Sequence, residues 1–143
     1  MKKNGLPEPQ AKEILIQIAS GFLALAKEGL IHRNLKPQVI LTSKNQYKIA
    51  DYLFSKRVFE KKIEEIHEPK YYSAPRLIKG LPVTSKCDIW SLGCIYFELL
   101  HGYRIIEAEN DFQIIQAVES KKFKSFKSSV SSESKDFIMK CLE

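Results

Sequence analysis

The stretch that decides the fold is residues 31–41, a short run that combines a His-Arg pair, an asparagine, a lysine and a proline. It reads Ile31-His32-Arg33-Asn34-Leu35-Lys36-Pro37-Gln38-Val39-Ile40-Leu41. On its N-terminal side, apolar residues recur at three- and four-residue steps over 9–28, which predicts a long helix packed on a core. On its C-terminal side, the β-prone runs 39–42 and 47–50 predict a small antiparallel ribbon closed by the polar loop 43–46.

Further along the chain, apolar periodicity predicts three more helices, over 88–100, 111–118 and 132–142. The first of them is apolar almost all round, so we expect it to lie at the centre of the fold. Residues 54–70 fit neither a helical nor a strand period, which indicates an exposed loop. The last apolar pattern runs to Glu143 without a stop signal, which favours a truncated chain.

Three further motifs follow residues 31–41 along the chain. They are Lys48-Ile49-Ala50-Asp51-Tyr52-Leu53, Tyr71-Tyr72-Ser73-Ala74-Pro75-Arg76 and Ser85-Lys86-Cys87-Asp88-Ile89-Trp90-Ser91-Leu92-Gly93. In order, the four segments resemble the catalytic loop, the D-F-G metal-binding motif, the A-P-E segment and the start of the large central helix of eukaryotic serine/threonine protein kinases.

The resemblance covers nearly the whole chain and implies a mainly α (α+β) fold. This is the C-terminal lobe of a kinase, with helices around a long central helix and a small β-hairpin at the catalytic loop. Residues 1–143 are then one partial domain, in which the N-terminal lobe and the final helices are expected to be absent. The sequence holds no Gly-x-Gly-x-x-Gly stretch and no Val-Ala-Ile-Lys lysine. We therefore expect no cofactor for this chain, although the family uses ATP and Mg²⁺.

Two substitutions at the catalytic loop argue against activity. By the resemblance, Asn34 stands where kinases carry an aspartate that accepts the hydrogen bond of the substrate hydroxyl, and a neutral amide cannot replace that carboxylate. The alternative for Asn34 is a hydrogen bond within a tight turn. Val39 stands where kinases carry the asparagine that ligates the second Mg²⁺, and a hydrocarbon offers the ion no oxygen. Val39 fits a strand residue that faces the core.

Two residues of the kinase site are retained. Asp51 could hold one Mg²⁺, since a carboxylate at the end of a strand suits that ion. Its alternative role is to close a strand into a turn. Lys36 matches the family lysine that contacts the transferring phosphate, and its alternative is a solvated lysine beside a proline. Lys36 and Asp51 are thus the candidate cofactor-binding residues.

Other matched positions point to structural roles. His32 and Arg33 match residues that organise the loop in kinases. Tyr52 replaces the phenylalanine of D-F-G and Leu53 replaces its glycine, which removes backbone freedom and favours one fixed loop state.

Asp88 and Trp90 are also expected to be structural. Asp88 matches a kinase aspartate that accepts hydrogen bonds from the catalytic-loop backbone. The alternative is a first-turn acid favoured by the helix dipole, with or without a capping box to Ser85. Trp90 is expected in the core. Arg76 reverses the charge of the A-P-E glutamate, and a buried unpaired arginine would be costly.

Composition limits the remaining classes. The net charge is +6, but basic residues are spread along the chain, so nucleic-acid binding is not expected. No apolar stretch reaches the length of a membrane span. The 3 cysteines form no C-x-x-C pair, which favours free thiols and a soluble protein of the cytoplasm or nucleus.

Two functions remain open. The first is a pseudokinase-like, inactive binding or regulatory module with a protein partner, either a kinase N-terminal lobe or a signalling protein. The alternative is a fragment of an ATP-dependent protein Ser/Thr kinase that a missing or separate N-terminal lobe completes.

Overall fold

A computed structural model describes residues 4–51, 56–57 and 70–143 of the chain. The elements within these ranges are α1 Glu8–Lys27, β1 Leu30–Ile31, a 3-10 helix Pro37–Val39, β2 Ile40–Ser43, β3 Gln46–Ile49, β4 Lys56–Arg57, α2 Pro75–Ile78, α3 Lys86–His101, α4 Asp111–Glu119 and α5 Ser132–Cys141. The predicted α+β class is confirmed, with helices dominating and the strands confined to two small pairs. Among the described residues, no helix is long and apolar enough to cross a bilayer.

Helix α3 is the buried centre of the fold. Phe97 is fully buried, and α3 packs against both α1 and α5. The approach of α5 is close, since a Cβ built on Gly93 would lie 2.6 Å from the Cβ of Cys141. The prediction of a central helix over 88–100 is confirmed, and the helix extends slightly beyond both predicted ends.

Helix α1 covers one side of α3 with an apolar stripe. Its buried residues are Ala11, Ile14, Leu15, Ile18 and Phe22. Helix α1 also contacts the β2–β3 hairpin. Gln17 Nε2 donates to the Asn45 carbonyl at 3.2 Å and Gln17 Oε1 accepts from the Tyr47 amide at 2.9 Å. Ile49 of β3 packs in the same core as the α1 stripe.

The hairpin is tighter than the sequence predicted. Strands β2 and β3 pair antiparallel, with Ile40 opposite Ile49. The connecting turn is Lys44-Asn45, with φ values of 47° and 62°, in place of the predicted four-residue loop 43–46. Two consecutive positive φ values match the twist of the flanking strands, and this favours a two-residue turn.

Three local predictions need correction. The strands predicted at 39–42 and 47–50 each shift by one residue. Val39 faces the core as expected, at 4% exposure, but it ends a 3-10 helix and does not belong to a strand. The short helix Pro75–Ile78 was not predicted, because a single turn is too short to show a helical period.

Residues 54–70 were predicted to form an exposed loop, and this was wrong in part. Lys56–Arg57 form β4, which pairs antiparallel with Leu30–Ile31. A two-residue strand cannot display the alternation on which strand prediction depends. Apart from residue 70, which is half-buried, the rest of that range lies outside the described residues.

The first turn of α1 holds the first turn of α5. The Glu8 carboxylate accepts hydrogen bonds from the Ser131 amide at 2.9 Å, from the Ser131 hydroxyl and from the Ser134 hydroxyl at 2.7 Å, and it pairs with Lys12 at 2.9 Å. Ser131 is the residue that caps α5. The Lys12 ammonium, followed by the bonds from Ser131 and Ser134, holds the pKa of Glu8 well below its usual value.

Acidification should therefore weaken this junction. A carboxylate whose pKa is lowered on folding contributes stability above its ordinary pKa of 4.5, and that contribution is lost as pH falls below it. We expect Glu8→Gln to lower the free energy of unfolding at neutral pH by about 1 kcal/mol and to flatten its decline in acid. Urea titrations across pH measure both quantities.

The matched control is Asp136→Asn, which breaks the exposed ion pair of Asp136 with Lys140. An exposed pair of this kind contributes little to stability, so we expect a clearly smaller effect than at Glu8. Equal effects from the two substitutions would show that Glu8 behaves as an ordinary surface acid.

Candidate functional site

The segment 31–35 is anchored in the core on both sides of Asn34. Ile31 and Leu35 are 0% and 2% exposed, while Asn34 between them is half-buried. Because the apolar neighbours are fixed in the core, the position of residue 34 is set by packing.

Asp88 of α3 fixes the backbone of this segment. Its Oδ2 accepts from the His32 amide at 2.8 Å and its Oδ1 accepts from the Arg33 amide at 2.9 Å. The carboxylate is 1% exposed, and burial raises the pKa of Asp88 while the two amide hydrogen bonds oppose that rise. Asp88 does lie in the first turn of α3, but the capping box with Ser85 is wrong, since the Ser85 side chain makes no capping bond and its backbone is helical.

His32 connects the segment to the residue before Asp51. Its buried ring has Nε2 at 3.0 Å from the Ala50 carbonyl and Nδ1 at 3.3 Å from the Asn34 amide. A carbonyl accepts and an amide N–H donates, so the tautomer protonated at Nε2 satisfies both contacts. The ring therefore holds the Asn34 backbone and the 50–51 segment together.

Arg33 has a left-handed backbone with φ 67°, and its side chain is buried. This conformation is costly for a residue with a Cβ, by about 1 kcal/mol or more. The bond from its amide to Asp88 offsets that cost. Arg33, for which a structural role was predicted, and Asn34, at the position of the catalytic base, thus lie in one small turn.

The other candidates lie on both sides of this turn. Lys36 is half-buried and its carbonyl accepts from the Val39 amide at 3.1 Å, which starts the 3-10 helix. Asp51 is exposed with φ 62°, and the Ala50 amide before it donates to the Val39 carbonyl at 2.8 Å. Tyr52 and Leu53 lie outside the described residues.

The residues present do not fit the two-magnesium site that the resemblance implies. Val39 is a buried hydrocarbon at the position of a metal ligand. Within the described ranges, no group of three or more His, Cys, Asp and Glu residues is arranged to hold a metal. No step of chemistry through a metal follows from this geometry.

The segment 70–79, which includes the A-P-E-like motif, is fixed by contacts that the sequence did not predict. The Tyr72 hydroxyl donates to Glu98 of α3, and the Ser91 hydroxyl donates to the Tyr72 carbonyl at 2.7 Å. Burial, and then the bond to Glu98, raise the pKa of Tyr72. Tyr71 donates to the Ala108 carbonyl at 3.0 Å. Tyr72 belongs to the A-P-E-like motif that the sequence revealed. Its partner Glu98 lies 26 positions away, so the sequence did not predict the contact.

Arg76 and Trp90 complete the predicted set. Arg76 is exposed and its Nε donates to the Pro82 carbonyl at 3.1 Å, so the predicted cost of a buried arginine does not apply. Trp90 is 5% exposed and belongs to the core cluster. Cys87, Cys94 and Cys141 are all buried free thiols.

Comparison with known proteins gives the following matches. The family model described as "Protein kinase domain" matches residues 1–143. A probable dual specificity protein kinase YAK1 homolog of Encephalitozoon cuniculi is 35% identical over 113 residues, which are 78% of this chain and 28% of that protein. Calcium-dependent protein kinase 4 of Plasmodium falciparum is 35% identical over 145 residues, covering 94% of this chain and 27% of that protein. Serine/threonine-protein kinase ATG1b of Arabidopsis thaliana is 31% identical over 122 residues, which cover 82% of this chain and 17% of that protein.

These matches confirm the resemblance on which the sequence motifs were interpreted. The chain spans less than a third of the length of these relatives. The activities that those names state belong to the relatives, and this chain matches only a part of each.

Proposed function

Because this chain belongs to the protein kinase family, we propose that it is a pseudokinase-like C-terminal lobe that does not transfer phosphate and acts as a binding or regulatory module. The observation that carries the proposal is Asn34, a neutral amide at the position of the catalytic base. It lies on a turn that Asp88 and His32 hold by hydrogen bonds. The hydrogen bonds that shape the loop are present, but the carboxylate that would act as the catalytic base is missing from position 34.

The loss of a metal ligand at Val39 supports the same proposal independently. Its side chain is a buried hydrocarbon, which offers a cation no oxygen. A folded lobe without these groups still presents a surface, and we expect a protein partner, either a kinase N-terminal lobe or a signalling protein. The buried free thiols support a reducing compartment, the cytoplasm or nucleus.

The second candidate is a segment of an ATP-dependent protein Ser/Thr kinase that a further lobe completes. Two observations favour it: Lys36 and Asp51 are retained, and the chain spans less than a third of the relatives that it matches. In that case ATP and Mg²⁺ would bind only to the completed domain.

The purified chain incubated with Mg-ATP and generic Ser/Thr peptides should show no phosphate transfer above buffer. Asn34→Asp should also stay at that level, although acid–base assistance is worth about 10² to 10⁴ in rate, because the defect at Val39 remains. Radiolabel incorporation into the peptide measures both. Transfer by the wild-type chain that Asp51→Ala abolishes would overturn the proposal.

Two further reactions separate the candidates. A rise of about 100-fold in Asn34→Asp would show that the missing base alone disables the site. Addition of a separately purified kinase N-terminal lobe tests the second candidate, which predicts transfer in the mixture that depends on Lys36 and Asp51.

A further inference from the structure

His101, the last residue of α3, lies in an aromatic cage far along the helix from the site at Asp88. It is fully buried, and its ring stacks on Phe97 with centroids 3.8 Å apart and planes 5° from parallel. The rings of Tyr103 and Phe126 meet it edge-on at 5.5 and 5.7 Å. A buried imidazole in such surroundings needs a partner for each nitrogen.

Two backbone groups supply those partners and fix the protonation of the ring. Nε2 lies 3.0 Å from the amide nitrogen of Lys127, and Nδ1 lies 2.8 Å from the Phe97 carbonyl. An amide N–H can only donate, so Nε2 must be the unprotonated nitrogen and Nδ1–H must donate to Phe97. Only the neutral tautomer that carries its proton on Nδ1 satisfies both hydrogen bonds.

Lys127 extends this contact into a junction of three chain segments. Its ammonium donates to the Asn4 carbonyl at 2.7 Å and to the His101 carbonyl at 3.2 Å. The N-terminal segment is also held by the Leu6 amide, which donates to the Leu99 carbonyl at 2.7 Å. One residue thus ties both the end of α3 and the N-terminal segment 4–6 to the loop 123–127.

We propose that His101 is an acid-sensitive latch, in which one added proton at Nε2 releases the Lys127 amide from the end of α3 and weakens the contact of the Lys127 ammonium with the segment 4–6. Protonation removes the only free lone pair of the ring, so the Lys127 amide loses its acceptor. It also places a cation beside the Lys127 ammonium. The latch depends on no catalytic group and stands apart from the proposed function.

The charges around the ring act in the same direction. Burial lowers the pKa of His101, the hydrogen bond with Phe97 opposes this, and the ammonium groups of Lys127 and of Lys135 on α5 lower the pKa further. The adjoining segments 4–6, 102–106 and 123–127 contain no Asp or Glu that could stabilise an imidazolium. Once released, the ring returns to its ordinary pKa of 6.5, so the opening begins to rise as pH falls through that value.

Amide hydrogen exchange of the whole chain, followed by NMR between about pH 7.5 and 5.5, tests the latch. After correction for the intrinsic rate, protection of the Lys127 amide should fall by up to about tenfold per pH unit below the ordinary pKa. The Lys122 amide, which donates to the Ala117 carbonyl at 2.7 Å, is the internal reference and should keep its protection. In His101→Gln, whose amide can accept from Lys127 but cannot titrate, the protection should be the same at both pH values.

Constant protection of Lys127 in the wild type, or the same pH dependence in His101→Gln, would overturn the latch. If His101→Gln does not fold, ring ¹⁵N shifts of the wild type decide the matter. They should show the Nδ1–H tautomer at neutral pH, and the chemical shift of the Lys127 amide should change with the same midpoint as the ring nitrogens. An Nε2–H tautomer, or an amide shift that changes at a different pH from the ring, would refute it.

Discussion

Asp88→Ala is expected to lower the free energy of unfolding by about 4 kcal/mol, since a buried amide N–H that loses its acceptor costs about 1 to 3 kcal/mol and two are affected. The two amides belong to His32 and Arg33, and both now reach the carboxylate within 2.9 Å. Arg33 also loses the bond that offsets its left-handed backbone. Urea unfolding followed by circular dichroism gives the difference.

Asp88→Asn is the matched control at the same position. It keeps one carbonyl oxygen for one amide but turns an NH₂ group toward the other, so we expect about half the loss. Asp136→Ala removes an exposed carboxylate and should change stability by less than about 0.5 kcal/mol. If Asp88→Ala falls in that range, the segment 32–34 is held by other contacts and the role assigned to Asp88 is wrong.

Gly5→Ala should be similarly disruptive, with a loss of about 3 kcal/mol or more. Gly5 has φ +72°, and a Cβ there would lie 2.2 Å from the Leu100 carbonyl oxygen. The contact is with backbone, so relief requires the N-terminal segment to move away from α3. Thermal and urea unfolding measure the loss.

Gly80→Ala separates the contact from the backbone strain. Gly80 has φ +66°, and a Cβ added there would meet nothing within 4 Å, so only the conformational cost of about 1 kcal/mol remains. The excess in Gly5→Ala over Gly80→Ala then belongs to the clash with Leu100. Equal losses in the two variants would mean that the segment 4–6 is not packed on α3.

The long elements could be predicted because each buries a stripe that repeats along the chain. Helices α1, α3, α4 and α5 lie within two residues of their predicted bounds. The order of the motifs also located the turn at Asn34 and, after the hairpin, Asp51. Both residues could be identified from their distance along the chain from His32 and Arg33. Apolar periodicity and the order of motifs can both be recognised in the sequence without knowledge of tertiary contacts.

The missed features depend on pairs of residues far apart in the chain. Strand β4 pairs with β1 although Lys56 lies 25 positions after its partner Ile31, in a ladder too short to show any period. Glu8 meets Ser131 from 123 positions away, and neither residue belongs to a motif. The exposure of Arg76 was missed for another reason, because burial at a helix start depends on the path of the following loop. Tertiary contacts of this kind leave no periodic trace.

The turn at 32–34 is held by contacts that do not depend on the side chain at position 34. The hydrogen bonds described for it are made by backbone amides, the Asp88 carboxylate and the His32 ring, and the Asn34 side chain takes part in none of them. Exchange of aspartate and asparagine at position 34 requires a single nucleotide change and leaves those bonds intact. The shape of this turn therefore does not depend on whether aspartate or asparagine stands at position 34.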